Sequence, residues 1–475
     1  MRRKMSEGLD SGSHRRLRLN PDAVLWLLLL LLVAERIYLF SELGADYMTH
    51  SDDDAYLDAG LYFARTGTIS MWGPYPSAMI MPGMPVLIGA FSLLFGGGTD
   101  LKIALKLLWI AMGVLNAYVC YLTVSMRAGK WAGLAAMALF LIPNMAWMTH
   151  ALMTETPYML FFTLCVYYTL RMEQSDERRW FLGYGLSFFA ALMFRSNIVT
   201  MPLFTAIYLL LRRRRPLLLL RRGLALLAAV LLFVIPWGIR NYHQFGAFIP
   251  LSYGVGNPLL RGTYQGEGFP EDEELDYETY VDKPMQELYG SFYREEPTPW
   301  AADSSDYYVF GKPNYYIETY DPEGVVKDLK MAQYLSLQAD EIKAHYRLRT
   351  WWEKDPKGFL KSFLVIKPRW MLNWSWAWEQ VMGVSYDVLH RLSQWNFVLC
   401  GATVLASLLR KKHRAAVLFL TGLYFALVYI HALAFVTDRY ASTLMVLRFM
   451  ILGFGLGLAL EGVQRILRRK KANPA

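Results

Sequence analysis

The stretch "PDAVLWLLLLLLVAERIYLF", residues 21–40, decides the class of fold. From Ala23 to Phe40 it is an apolar run, and a helix needs roughly 20 apolar residues to cross a bilayer. The basic segments "MRRK" and "HRRLRLN" precede it, and no small-residue cleavage site follows it. We therefore interpret residues 22–41 as an uncleaved signal anchor and the first of several membrane spans.

The composition of the whole chain supports a membrane protein. Of its 475 residues, 55% are hydrophobic and 15% aromatic, which is too apolar for a soluble protein with one core. The net charge of +9 lies in short Lys and Arg clusters between apolar runs, so the positive-inside rule explains it better than a nucleic-acid partner does. The three cysteines all lie in apolar runs, which argues against a disulfide framework.

Ten apolar segments are candidate spans: 22–41, 102–125, 131–149, 155–171, 180–195, 197–211, 223–240, 392–410, 414–436 and 441–463. With ten spans, every basic cluster falls on one side of the membrane, and the positive-inside rule identifies this side as the cytoplasm. The predicted fold is an all-α polytopic membrane protein with about ten transmembrane helices. Both termini are then cytoplasmic.

Two segments decide the count of ten. Residues 180–211 have basic clusters at both ends, so a hairpin that turns near Arg195 keeps both clusters in the cytoplasm. Residues 79–97 are apolar but contain two prolines, and counting them as a span would move several basic clusters outside. We interpret this segment as a juxtamembrane or re-entrant element.

The topology divides the chain into three parts. Residues 1–240 form a transmembrane module whose first outer loop, 42–101, is the predicted catalytic loop. Residues 241–391 form a large outer region between spans seven and eight, and 392–475 hold the last helices. Within the outer region, residues 267–328 carry 17 acidic against 4 basic residues, and the tryptophan-rich stretch 343–378 indicates an interfacial helix.

The first outer loop opens with three adjacent aspartates, Asp52, Asp53 and Asp54. The residues after them have mostly helical spacing, which predicts an amphipathic helix on the membrane surface. One aspartate suffices to cap such a helix, and three adjacent carboxylates repel each other. Capping remains one interpretation; a catalytic or metal-binding aspartate is the other.

A second acid, Glu155, lies at the same outer surface by span parity. A capping box at Thr154 or Thr156 explains it without any catalytic role. His50 and His150 lie near the two acids in sequence, but no ligand spacing marks a metal site. A divalent cation is left open, and no other cofactor is expected.

Four arginines lie near the outer surface or within a span: Arg195, Arg240, Arg439 and Arg448. Any one of them alone can extend to lipid headgroups. Arg448 falls within span ten. A charge within a span is costly, so its presence suggests a function. Together the arginines could bind a phosphate at the outer membrane surface.

Five stretches resemble the GT-C glycosyltransferases, in particular bacterial relatives of protein O-mannosyltransferases and of the aminoarabinose transferase of lipid A. The stretches are "DDDAYLDAGLYFARTGTIS" with "MPGMPVLIGAF", "MTETPYMLFFTL", "PWGIRNYHQFGAFIPLSYGVGN", "DPKGFLKSFLVIKPRWMLNW" and "DRYASTLMVL". The Pro-Trp-x-x-Arg-Asn-Tyr element in the third is the most specific. The family's Arg-Pro-Pro-Gly-Tyr-Pro segment departs here to Ile80–Pro85, without the arginine and the tyrosine.

The resemblance implies transfer of a sugar from a polyprenyl-phosphate-sugar donor to an extracytoplasmic acceptor. The reaction is expected to be inverting, and metal-independent or weakly metal-assisted. By family position Asp52 is the base, Asp53 the second choice, and Glu155 a supporting acid. Arg195, Arg240, Arg439 and Arg448 are phosphate candidates, and Tyr56, His50 and His150 are candidates for acceptor or loop support.

The partners implied are the lipid-linked sugar, membrane lipids and an acceptor that is a glycan, a lipid or a protein. The expected location is the bacterial plasma membrane, with the active site facing outside. A polytopic transporter or lipid flippase is the main alternative, although such proteins usually show internal repeats and midplane charges. A non-catalytic assembly protein, for which Asp52 would be dispensable, is the third class.

Overall fold

The computed structural model describes residues 20–289, 293–294, 316–317, 329–372 and 380–472. The basic N-terminal segments, most of 290–328 and the tryptophans of 373–379 lie outside them. The first helices are α1 (Pro21–Leu43), α2 (Asp52–Thr66), α3 (Gly83–Phe95), α4 (Thr99–Ala128), α5 (Lys130–Ala138), α6 (Pro143–Trp147), α7 (Glu155–Gln174), α8 (Arg178–Phe194), α9 (Met201–Leu211) and α10 (Pro216–Phe245).

The outer region and the last helices follow: α11 (Gly256–Gly262), α12 (Lys283–Tyr289), α13 (Leu329–Lys354), α14 (Pro356–Lys361), α15 (Lys367–Leu372), α16 (Tyr386–Arg410), α17 (Arg414–Ala432), α18 (Asp438–Ser442) and α19 (Met445–Ala472). Short 3-10 turns are Leu139–Leu141, Ser196–Thr200 and Asp272–Glu274, and π turns are Glu278–Asp282 and Ser362–Ile366. Strands Tyr293–Arg294 and Tyr316–Ile317 pair antiparallel, as do Gln380–Val381 and Val384–Ser385.

The chain is an all-α polytopic membrane protein, as predicted. Within the described residues, six helices are long and apolar enough to cross a membrane: Pro21–Leu43, Thr99–Ala128, Pro216–Phe245, Tyr386–Arg410, Arg414–Ala432 and Asp438–Arg465. Each coincides with a predicted span. Shorter apolar helices cover Lys130–Leu141 and Ser196–Leu211, where two further spans were predicted. The total of ten spans stays a prediction.

The predicted span 131–149 is not one regular helix. Helix α5 ends at Ala138, a 3-10 turn follows, and α6 starts at Pro143. Proline lacks an amide hydrogen and clashes with the preceding turn, so it starts a helix more readily than it continues one. The segment therefore bends where the sequence has Pro143.

Residues 178–211 form the predicted hairpin. At its tip, Arg195 Nη1 lies 2.6 Å from Glu155 Oε1, at the start of α7. After α9, Arg212 Nε lies 2.6 Å from Glu173 Oε1, near the end of α7. Because these two acids mark opposite ends of α7, helices α8 and α9 run in opposite directions. This observation confirms the turn near Arg195.

Basic residues at the ends of α4 and α9 lie at the Glu173 end of the bundle. Arg127, in the last turn of α4, binds the same Glu173 carboxylate as Arg212 does. Next to it in sequence, Lys130 Nζ lies 2.6 Å from Asp22 Oδ1 at the start of α1. These contacts agree with the predicted topology, in which the connecting segments with Lys and Arg share one side.

The apolar segment 79–97 contains helix α3, which packs against α2 and also contacts α4 and α8. A Cβ atom added at Gly60 would lie only 2.3 Å from Cγ2 of Ile88, so the glycine permits this close approach. Pro82 precedes α3 and Pro85 lies in its first turn, so the prolines begin the helix and do not interrupt it. With 13 residues α3 is about 20 Å long, which is short for a span and suits a juxtamembrane element.

The first outer loop is fixed to the end of α10 and to the outer region by hydrogen bonds to its backbone. Arg240 donates to Ser77 O at 2.9 Å and to Ile69 O at 3.2 Å. The amide nitrogen of Tyr253 donates to Ala78 O at 2.9 Å, and Gln333 Nε2 donates to Met71 O at 2.8 Å. These bonds position the residues that follow, 79–81, beside the cavity described below.

Candidate active site

The three adjacent aspartates face three different environments. Asp52 Oδ2 accepts a hydrogen bond from Arg439 Nη1. Asp53 is fully buried in the first turn of α2, and Asp54 Oδ2 lies 3.0 Å from Nδ1 of the exposed His50. Successive helix residues point about 100° apart, so only one of the three can face Arg439. That one is Asp52.

Asp53 stabilises the entry to α2. Its carboxylate accepts from the Thr49 amide at 2.7 Å, the Thr49 hydroxyl at 2.8 Å, and the amides of Ser51 and Asp54, each at 3.1 Å. Four donors occupy this carboxylate, which leaves it little capacity to accept a substrate proton. The stabilising role considered for the aspartate cluster therefore belongs to Asp53.

Glu155 lies between two arginines. Its Oε1 is 2.6 Å from Arg195 Nη1 and 2.6 Å from Arg439 Nε, and its Oε2 is 3.4 Å from Arg439 Nη2. Thr154 occupies the N-cap position of α7 but makes no side-chain cap bond, so the predicted capping box does not form. Glu155 instead joins α7, the α8–α9 turn and α18.

The four charged groups form a continuous chain in the order Asp52, Arg439, Glu155, Arg195. The exposed fraction of the side chain is 1% for Glu155, 15% for Arg195, 19% for Arg439 and 30% for Asp52. Glu155 is thus the buried anchor, and Asp52 is the acid that solvent and ligands can reach. Two acids and two bases make the cluster neutral, as low-dielectric burial favours.

A cavity of about 250 Å³ opens beside this chain of charges. Its lining includes Asp52, Tyr56, Thr154, Arg195 and Arg439, together with Met79, Ile80, Met81, Phe194, Ser196, Asn197, Ser252, His431 and Tyr440. The volume is near the lower end of small-molecule pockets, which span roughly 300–1,000 Å³. It suits one polar group of sugar or phosphate size and not a whole lipid.

Arg195 has hydrogen-bond donors left for a ligand, and a ring contact helps to hold its guanidinium in place. Arg195 uses only Nη1 for Glu155, and its guanidinium lies 4.9 Å from the ring centre of Tyr440. Guanidinium carries five N–H donors, so Arg195 keeps several for a ligand. Tyr56 lies nearby, and burial together with the Asp52 carboxylate raises the pKa of Tyr56, which keeps its phenol neutral.

Two predicted phosphate arginines lie elsewhere. Arg240 donates to the backbone of the first outer loop, as described above. Arg448 is buried between helices, where Nε lies 2.6 Å from Asn396 Oδ1 and Nη1 lies 3.1 Å from Leu372 O. The cost of a charge within a span is offset here by helix-to-helix hydrogen bonds.

The two predicted histidines also lie apart from the cavity lining. His50 is exposed and pairs with Asp54. His150 is fully buried, with its ring centre 6.2 Å from that of Phe40. In the described part of the chain, no three His, Cys, Asp or Glu side chains group closely enough to hold a metal ion.

The structure adds His431 and Asn197, which the sequence reasoning missed. His431 lies in the last turn of α17, and Asn197 lies in the 3-10 turn directly after Arg195. The signal that could have found Asn197 is its position beside Arg195 in the predicted outer turn. His431 has no such signal, because it looks like one more polar residue at a helix end.

Part of the chain matches a known protein family. Residues 77–239 match the family model for dolichyl-phosphate-mannose-protein mannosyltransferase, a GT-C family. This segment is therefore similar to a family of GT-C membrane glycosyltransferases. The matched range includes Glu155 and Arg195. No curated protein matches the sequence.

Two solved structures are similar to this chain. The archaeal oligosaccharyltransferase AglB from Archaeoglobus fulgidus, in complex with an inhibitory peptide and a dolichol-phosphate, matches with a TM-score of 0.52 and 11% identity, over 95% of this chain and 52% of AglB. ArnT from Cupriavidus metallidurans, bound to undecaprenyl phosphate, matches with a TM-score of 0.41 and 16% identity, over 92% of this chain and 78% of ArnT. The present chain thus spans about half of the AglB chain.

Proposed function

We propose that this GT-C glycosyltransferase moves a sugar from a polyprenyl-phosphate donor to an acceptor hydroxyl at the cavity beside Asp52. One observation carries the proposal. A single accessible acid and two arginines face one cavity, and a second, buried acid holds the arginines in place. The catalytic acid is Asp52 and not Asp53, because Asp53 is occupied by its own turn.

Asp52 is the general base. Arg439 binds Oδ2, and no other described side chain or amide bonds this carboxylate, so Oδ1 is available to a substrate hydroxyl. The acceptor proton moves to Oδ1 while the acceptor oxygen forms a bond to the anomeric carbon of the sugar. The bond from that carbon to the phosphate oxygen breaks, and its electron pair leaves with the phosphate. One displacement of this kind inverts the anomeric centre.

Arg195 and Arg439 stabilise the departing phosphate. Negative charge grows on the leaving oxygen as the glycosidic bond breaks, and fixed guanidinium donors in a protected site stabilise it. Both arginines are oriented by Glu155, so little reorganisation accompanies the reaction. A divalent cation that assists them weakly is left open.

The lipid class of the donor rests on the family and its neighbours. The matching family is named for dolichyl-phosphate-mannose, and AglB and ArnT were solved with a dolichol-phosphate and with undecaprenyl phosphate. A polyprenyl phosphate also suits a site at the end of a helix bundle, where a lipid chain can stay in the bilayer while its phosphate enters the cavity. We further propose a plasma-membrane location, with this cavity on the outer side and the Arg127–Glu173 end in the cytoplasm.

Mass spectrometry of lipid-linked sugars and envelope glycans tests this function. Cells that lack the gene should accumulate one polyprenyl-phosphate sugar and lose that sugar from one envelope component. Wild-type protein should restore the sugar, and Asp52→Asn should not. Identical lipid and glycan profiles with and without the gene would rule out the proposed transfer.

A further inference from the structure

The cavity lining contains neutral polar groups besides the charged Asp52, Arg195 and Arg439. Among these neutral groups are His431, Asn197, Ser196 and Ser252. The mechanism above uses Asp52 and the arginines but assigns nothing to these side chains. Their hydrogen-bonding state indicates what they can bind.

The tautomer of His431 follows from its partner. Nδ1 lies 2.8 Å from Leu427 O. A carbonyl oxygen can only accept, so Nδ1 carries the hydrogen of the neutral ring and Nε2 carries the lone pair. His431 therefore offers an acceptor at Nε2, with the ring oriented by the backbone of α17.

Asn197 supplies a second acceptor. Its Nδ2 lies 3.5 Å from His431 Nε2, a long contact in which the amide is the donor, because neutral Nε2 can only accept. This orientation leaves Oδ1 of Asn197 buried, with no hydrogen-bond partner among the described residues. Buried carbonyl oxygens are rarely left without a donor, which points to a missing group from a ligand.

We propose that His431 and Asn197 recognise hydroxyl groups of an uncharged sugar on the donor lipid. A sugar hydroxyl can donate to Oδ1 of Asn197, and it can replace the long Asn197 Nδ2 contact as the donor to Nε2 of His431. A carboxylate would meet two acceptors and be disfavoured. The neighbouring acids and bases cancel in charge, so they do not select a charged sugar. This inference rests on the proposed function and names the substrate class of the same cavity.

The test compares lipids with and without a sugar. The probes are undecaprenyl phosphate, its mannose, glucose and galactose conjugates, and its glucuronic acid conjugate, each bound to the purified protein in nanodiscs. At least one neutral conjugate should bind the wild type more tightly than undecaprenyl phosphate, and the glucuronic acid conjugate should not. His431→Phe and Asn197→Leu, which keep volume and remove an acceptor, should each weaken the preferred conjugate about tenfold.

The sugar-free lipid is the internal control, because both variants should bind it as the wild type does. His413→Phe is the matched control at the other end of the bundle, where His413 Nε2 lies 3.7 Å from Glu461, and it should leave all affinities unchanged. Equal wild-type affinity for sugar-free and neutral sugar lipids would overturn the inference alone. Unchanged sugar affinity in both variants would do the same. No wild-type affinity for any of the phosphate lipids would instead overturn the proposed function beneath it.

Discussion

Helix α7 has a buried glutamate near each end, and the two serve different purposes. Glu155 at its start is bound by Arg195 and Arg439. Glu173 near its end is bound by Arg127 and Arg212 and accepts from the Tyr208 hydroxyl at 2.5 Å. Their side chains are similarly buried, at 1% and 7%.

The difference lies in what surrounds each glutamate. At the Glu173 end the arginines connect the ends of α4, α7 and α9 and leave a net positive charge, which agrees with the proposal that this end is cytoplasmic. At the Glu155 end a third component, Asp52, contributes an accessible acid, and a cavity lies beside the arginines. A buried acid with two arginines is therefore a structural clamp, and it becomes a candidate active site only when an accessible acid and space for a ligand are added.

The largest expected effect is on the labelling of introduced cysteines from each side of the membrane. A cysteine introduced at exposed Arg213, at the Glu173 end, should react with a membrane-impermeant maleimide only in inverted vesicles, and one at exposed Glu273 only in right-side-out vesicles. The three native cysteines are buried and give a low background. Reaction of both positions from one side would break the comparison, since the two ends would then share a compartment.

The next effect is on catalysis. Asp52→Asn keeps the shape of the side chain but cannot accept the acceptor proton, so sugar transfer should fall by at least about 100-fold. Thermal stability should stay near that of the wild type. Asp54→Asn is the matched control, because Asp54 contacts the exposed His50, and it should retain most activity. Wild-type transfer rates in Asp52→Asn would return all three aspartates to a structural role.

A third prediction separates the two glutamates. Glu155→Gln leaves Arg195 without a counter-charge, and Glu173→Gln does the same for Arg127. Breaking a buried ion pair typically costs about 3–5 kcal/mol, so each variant should destabilise the protein by about this much. Only Glu155→Gln should also lower kcat, by about tenfold, because it orients Arg195 and Arg439. Thermal unfolding and transfer kinetics of both variants, measured well below their Tm, distinguish these effects. Equal kcat in the two variants would remove the functional distinction between the ends.

The smallest expected effect is on lipid affinity, and it is tested with one arginine from each end of α7. Arg195→Lys retains the charge but loses the planar donor geometry, so it should weaken undecaprenyl phosphate binding about fivefold, close to 1 kcal/mol. Arg212→Lys makes the same change beside Glu173 and should leave this affinity unchanged. Binding titrations in nanodiscs measure both. A matching loss of affinity in Arg212→Lys would mean that the lipid phosphate is attracted by net charge and not bound at the cavity.

Several features follow from local sequence signals. Apolar length predicts the six long spans, and paired basic clusters predict the hairpin at Arg195. The sequence indicates that helices begin at Asp52 and Glu155, because each acid lies at the beginning of an apolar periodic segment. The bend at Pro143 was missed, although proline chemistry indicates it.

By itself, the sequence determined that the chain is an all-α membrane protein and which helix ends carry acids and arginines, because hydropathy and capping are properties of neighbouring residues. Only the tertiary structure decided which aspartate meets Arg439, a partner 387 positions away, and that Asp53 closes its own turn. It also showed that Arg240 binds the first outer loop and that Arg448 joins packed helices. His431 and Asn197, 234 positions apart in sequence, meet only in the folded chain. The physical reason is that a side chain's partner depends on helix phase and packing, which adjacent residues do not record.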